Sequence, residues 1–233
     1  MRAALFVFAF LTALSFLSLP AVAGSTTGTP AFNNQLLSVR QFNAIKPLQN
    51  PEYERGTRVL ERRVLDSKNR VVGMVDDIIL APNGSIESLK VDFDRLRLST
   101  PVYINYRTLK VSSVTRGYQL SFNETEIADI YPGLLADIAT AAGDEGDLSL
   151  ARLKGVPVLS DNGRRIGTIK DILFASAGNR AQAVYVEMMG AAMNETGVAI
   201  PFRSGTFREQ GSKITLVLPD ALADAMLNFA GNK

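Results

Sequence analysis

Apolar positions along this chain follow three different patterns. Residues 3–23 (AALFVFAFLTALSFLSLPAVA) form an apolar run without a single charge. Residues 24–53 are polar and Pro-bearing with no sustained period, which predicts a flexible N-terminal segment. From residue 54 onward, short apolar runs alternate with turn-forming clusters such as Asp66-Ser67-Lys68-Asn69, Pro82-Asn83-Gly84, Asp161-Asn162-Gly163 and Ala177-Gly178-Asn179. Long helices do not fit between turns this closely spaced, so the pattern predicts strands. Ile86, Leu89, Val91 and Phe93 lead into a strand of roughly period two. Ile166, Ile169 and Ile172 recur at a helical spacing, but Gly167 and the turn just before them favour a bent or bulged strand.

The strand pattern occurs twice. Residues 64–78 align without a gap on residues 158–172, with Val, Leu, Arg, Gly, Asp and Ile identical at Val64/Val158, Leu65/Leu159, Arg70/Arg164, Gly73/Gly167, Asp77/Asp171 and Ile78/Ile172. Three more segments follow in the same order: 89–93 on 184–188, 102–107 on 198–203, and 118–122 loosely on 213–217. Several short strands at regular spacing suggest two small closed or nearly closed barrels.

Two segments read as helical. Asn123 with Glu126 three residues on is an N-cap pattern. Pro132-Gly133 predicts a break, with a second short helix presenting Leu134, Leu135 and Ile138 and ending at Gly143. Residues 219–229 predict a short helix with Leu222, Met226 and Phe229 on one side, covering an open barrel end.

Composition then narrows the chemistry. Hydrophobic residues make up 46% of the 233 and charged residues 21%, enough for two packed units of ordinary small-domain size. Cys and His are both absent, which removes thiolate and imidazole nucleophiles, bases and metal ligands. Asp76, Asp77, Asp92 and Asp94 are the densest carboxylates. Their recurrence pattern favours a structural role, with the repeated Asp77 and Asp171 accepting hydrogen bonds from neighbouring turns. We expect no catalytic residues, no metal and no cofactor. A carboxylate-based hydrolase is a distant alternative.

Charge is uneven. Residues 54–116 carry a net +4, residues 117–151 a net −7 and residues 152–233 a net +3. The near-neutral balance gives no case for nucleic acid. The acidic stretch reads as a solvated helical linker packing on a barrel, with docking of its acids against the basic first unit as the sharper alternative. Arg55, Arg58, Arg62 and Arg63 form a basic cluster that reads as a solvated lead-in to that unit. Arg107 and Arg203 each follow an aromatic residue, Tyr106 and Phe202, at the end of the same repeated strand. These four are the candidate contact residues for a partner.

Arg2, the apolar run and Ala21-Val22-Ala23 before Gly24 predict a cleaved secretory signal over residues 1–23 and a periplasmic location. An uncleaved membrane-anchoring helix is the alternative, and it is the one route by which this chain would meet a membrane.

The second unit, with Leu153-Lys154-Gly155-Val156-Pro157-Val158, Asp161-Asn162-Gly163, Ile166-Gly167-Thr168-Ile169-Lys170-Asp171-Ile172 and Ile200-Pro201-Phe202, resembles the PRC-barrel domain family. The first unit keeps Gly73, Asp77 and Ile78 but carries Asn69 for Gly163 and Asn105 for Pro201. The resemblance implies a mainly β chain with two PRC-type barrels in tandem: a divergent one over 54–122, an acidic helical linker over 123–150, and a second barrel with its C-terminal helix over 151–233. It further implies a non-enzymatic binding or assembly module for a protein or envelope partner, with Gly73, Asp77, Gly167 and Asp171 as its structural signature.

Overall fold

The computed structural model describes residues 29–98, 100–137, 146–176, 179–190 and 197–231. The signal and anchor readings of residues 1–23 lie outside these residues. Among the described residues no helix is long and apolar enough to cross a membrane.

The described residues open with helix α1 (Pro30–Ala44), then β1 (Tyr53–Arg55) and a one-turn helix α2 (Gly56–Val59). A first sheet is built from β2 (Arg63–Leu65), β3 (Val71–Leu80), β4 (Ile86–Asp92), β5 (Val102–Asn105), β6 (Ser112–Val114) and β7 (Gly117–Gln119), and helix α3 (Glu124–Ala136) follows. β8 (Leu148–Ser149) and a second one-turn helix α4 (Leu150–Leu153) lead into β9 (Pro157–Ser160), β10 (Arg165–Ala175), β11 (Ala181–Met188), β12 (Gly197–Pro201), β13 (Thr206–Gln210) and β14 (Lys213–Leu218). Helix α5 (Asp220–Gly231) ends the described chain.

The two sheets have one strand order. The first runs β5-β4-β3-β2-β7-β6 and the second β12-β11-β10-β9-β14-β13. In each, one parallel pair, β2 with β7 and β9 with β14, sits among antiparallel neighbours. The expected barrels are not closed. The hydrogen-bonded path ends at β5 and β6 in one sheet and at β12 and β13 in the other. Shared geometry runs down to single turns. Asn69 (φ 61°) and Gly163 (φ 83°) both adopt the left-handed conformation that closes the hairpin between the first two strands of each sheet. Register shifts between Val75 and Asp77 and between Ile169 and Asp171 place a bulge at the equivalent point of each long strand, so the Ile166–Ile172 segment is a bulged strand.

The seventh strand of each sheet comes from the other half of the chain. β1 pairs antiparallel with β10, and β8 pairs antiparallel with β3. The loops beyond β3 and β10 also meet, through a bridge between Ser85 and Arg180 and a hydrogen bond from Ala181 N–H to Gly84 O at 2.8 Å. One apolar cluster takes buried side chains from both sheets, including Phe93, Ile104 and Val64 with Val158, Phe174 and Leu216. Burying each such side chain contributes about 1.5–3 kcal/mol.

The segment before residue 53 is not a loose tether over its described part. Thr29 caps α1 and Pro30 occupies its first turn. Phe32, Leu36 and Val39 pack inward at helical spacing. The helix lies along the exposed edge of β12. There the Asn43 side chain donates to Ala199 O (2.8 Å) and accepts from Ala199 N–H (2.9 Å), satisfying an edge residue that has no strand neighbour on that side.

The acidic segment also departs from expectation. α3 runs unbroken through Pro132. Its Asn123–Glu126 capping box is formed. Ile127 and Tyr131 are buried just before Pro132, and the Tyr131 hydroxyl donates to Thr100 O (2.7 Å) and accepts from Thr100 N–H (3.1 Å). These anchors tie the helix to the first sheet next to the point where Pro removes a backbone donor. The inward face is therefore Ile127, Tyr131 and Leu134, while Leu135 is exposed. Ile138 and Gly143 lie outside the described residues. α5 buries Leu222 and Met226 and half-buries Phe229, packing on α1, β12 and β9.

Candidate functional site

Gly73 and Gly167 face the neighbouring strand at its closest approach. A methyl group at either position would lie 2.2 Å from Asp92 O or 2.1 Å from Glu187 O, so only glycine permits the pairing.

Asp77 and Asp171 hold the two halves together rather than their own turns. Asp77 accepts from Ile78 N–H (2.7 Å), Ser149 Oγ (2.5 Å) and Ala151 N–H (3.0 Å). Asp171 accepts from Ile172 N–H (2.8 Å), Thr57 Oγ1 (3.2 Å) and Thr57 N–H (3.4 Å). Neither α2 nor α4 has a side-chain cap of its own. Each receives its N-terminal carboxylate from the opposite sheet, where an anion is favoured by the free N–H groups and the helix dipole. Burial pushes the Asp171 carboxyl above its ordinary range, opposed by the donors from Ile172 and Thr57. Asp76, the bulged residue beside Asp77, pairs with Lys90 Nζ at 2.5 Å and raises the lysine's pKa through that hydrogen bond.

A second site lies where the arm formed by β1 and α2 passes the first sheet. Arg62 was expected in a solvated basic cluster, yet its side chain is only 11% exposed. Its guanidinium binds Glu54 through two nitrogens, donates to Ser113 Oγ (2.8 Å), and sits 5.3 Å from the centre of the Tyr118 ring. Tyr118 is fully buried, and burial drives its phenol well above the ordinary range against the pull of the Arg62 charge. Tyr106 meets Tyr118 edge-on at 6.1 Å, and burial raises its phenol above the ordinary range. Over this network opens a groove of about 720 Å3, lined by Tyr53, Glu54, Arg58, Arg62, Ser113 and Thr115 among others, with Ser176 of the second sheet at its far side. Arg58 is exposed and makes no ion pair among the described residues.

The four candidate contact residues divide into two kinds. Tyr106 and Phe202 turn inward: Phe202 is 2% exposed and stacks on Phe207 at 5.5 Å. Arg107 is 72% exposed, 4.0 Å from Glu87, and Arg203 is exposed. Any contact the pair offers is made by the guanidinium groups. Sequence reasoning missed the Arg62 network, because its members are spread over Glu54, Arg62, Tyr106, Ser113 and Tyr118 on separate elements. The one available signal was that the repeat aligns Arg62 with Val156.

A search of curated proteins finds no match for this chain. A comparison with protein families does find one: residues 145–222, which hold β8, α4 and the second sheet's strands β9 to β14 but not β1, match the PRC-barrel domain.

Proposed function

We propose that the protein acts by binding, as an exported assembly or docking module for a protein or envelope partner, and that the first sheet is a second, divergent PRC-type unit. The observation that carries this reading is the reciprocal capping by Asp77 and Asp171. The repeated carboxylates are used to fix two like-ordered sheets against each other, and a fixed pair of binding surfaces is what a docking module needs. The lack of His and Cys supports binding over catalysis. The apolar run 3–23 with its Ala21-Val22-Ala23 pattern supports export to the periplasm.

The test is co-purification from envelope extract with wild-type protein and with the Arg107→Ala/Arg203→Ala double variant. A partner held by wild type and lost from the variant supports docking through the paired strand ends. Partners unchanged by the double substitution would remove that contact. Intact-mass measurement of native protein checks export separately, with a chain starting near Gly24 expected and an intact Met1 counting against cleavage.

A further inference from the structure

The groove beside Arg62 differs from its surroundings in one respect that the fold does not require. Strand register and backbone bonding give Glu54, Arg62, Ser113 and Tyr118 equivalents in the second half of the chain, and the sequence repeat aligns Tyr106 with Phe202. Val64 faces Tyr118 as Val158 faces Leu216, and Ser113 faces Tyr118 as Phe207 faces Leu216. Val75 N–H bonds Arg62 O as Ile169 N–H bonds Val156 O, and Glu54 pairs with Phe174 as Leu148 pairs with Leu80. The same backbone thus accepts Leu148, Val156, Phe202, Phe207 and Leu216 in one unit and Glu54, Arg62, Tyr106, Ser113 and Tyr118 in the other. The apolar set shows that the fold does not need the polar one.

The polar set underlies a groove whose volume lies within the roughly 300–1,000 Å3 typical of ligand sites. Its charge points to an anion. Glu54, the sole acid in the lining, is neutralised by Arg62. Arg58 is left as an exposed cation on the wall. Pro51, Tyr53 and Val114 add apolar surface, while Ser113, Thr115 and Ser176 add hydroxyls. A groove that offers apolar surface together with hydrogen-bonding groups matches a peptide better than a bare inorganic anion or a sugar polymer, which would leave the apolar part unused.

We propose that this groove binds an acidic peptide segment of a partner protein, with Arg58 pairing its carboxylate and the buried Arg62–Glu54 pair holding the floor rigid. This names the ligand class for the binding reading above and rests on it. The test uses full-length protein and a fluorescein-labelled peptide rich in Asp and Glu with interspersed Leu, followed by anisotropy at low salt. We expect saturable binding that weakens as salt rises, and about tenfold weaker binding by Arg58→Gln. Arg208→Gln, an exposed cation on β13, is expected to change it less than twofold. Thermal melting checks that Arg58→Gln is folded. No binding by wild type, equal binding of the Gln/Asn version of the peptide, equal losses in the two variants, or tighter binding of an oligogalacturonate would each overturn the proposal. A co-purifying partner retained by Arg58→Gln but lost from the Arg107/Arg203 variant would sink the groove while leaving the docking function standing.

Discussion

Where the second unit places Leu148, Val156, Phe202, Phe207 and Leu216, the first places Glu54, Arg62, Tyr106, Ser113 and Tyr118. The surrounding backbone is alike in strand order, bulge and turn. Replacing a well-packed apolar set by a largely buried ion pair does not as a rule stabilise a protein, since desolvation offsets the attraction. The first unit therefore carries a feature that stability alone does not explain. The second unit shows what the same backbone looks like when packing is the sole demand.

Four experiments would break or sharpen this comparison. The largest effect is expected at the element the two units share without difference. Gly73→Ala and Gly167→Ala each drive a methyl group into a facing carbonyl, so each should cost about 3 kcal/mol or more in urea unfolding, and by similar amounts. A tolerated alanine at one site would show that the two long strands pair differently there.

Next comes the polar set itself. Glu54→Ala should cost about 3 kcal/mol by leaving Arg62 enclosed without its carboxylate, whereas Glu54→Leu combined with Arg62→Val should lie within about 1 kcal/mol of wild type. A double variant as unstable as the single one would mean that the first unit has come to depend on its ion pair.

The two clasps are similar but not equal. Asp77 accepts shorter bonds from across the interface than Asp171 does. Asp77→Ala should lower stability by about 2 kcal/mol and Asp171→Ala by about 1 kcal/mol, measured by denaturant midpoint at constant slope.

The smallest effect is a difference in acid response. Burial pushes the Asp66 carboxyl upward, but donors from Arg70 and Lys68 outweigh it and hold the group below its ordinary range. Stability from Asp66 is thus present above the unfolded value of about 4 and is lost as pH falls through it. Asp171 is raised, so its contribution has the opposite sign: it is fully present below about pH 4 and lost as pH rises through the folded value. In urea titrations across pH, Asp66→Asn should flatten the limb below about pH 4 and Asp171→Asn the limb just above it. Interchanged limbs would reverse these assignments.

The repeat was readable because its markers are local. Gly73 and Gly167, Asp77 and Asp171, and the turns before them keep one spacing; the glycines and turns answer to contacts within a hairpin, and each aspartate sits next to the bulge of its own strand although its partners lie in the other half. The exchange of β1 and β8 was not readable. Three-residue and two-residue strands carry almost no pattern, and their partners lie in the opposite half of the chain. α1 was hidden for a related reason. Its inward Phe32, Leu36 and Val39 are interrupted by the exposed Leu37, which blurs the apolar stripe. The burial of Arg62 follows from Glu54 eight residues earlier and from Ser113 and Tyr118 on distant strands. Nothing in its own neighbourhood, flanked by Glu61 and Arg63, sets it apart.

The reciprocal strands also set the order in which the molecule can be finished during synthesis. Of the described elements, α1, β1 and α2 leave the ribosome first, but their seats are β10, β12 and α5, the last of them more than 150 residues later. At ordinary elongation rates the early segment waits on the order of ten seconds for its seat to exist. The first elements made are the last to be placed, and a nascent chain stalled before β10 would present β1 with no strand to join.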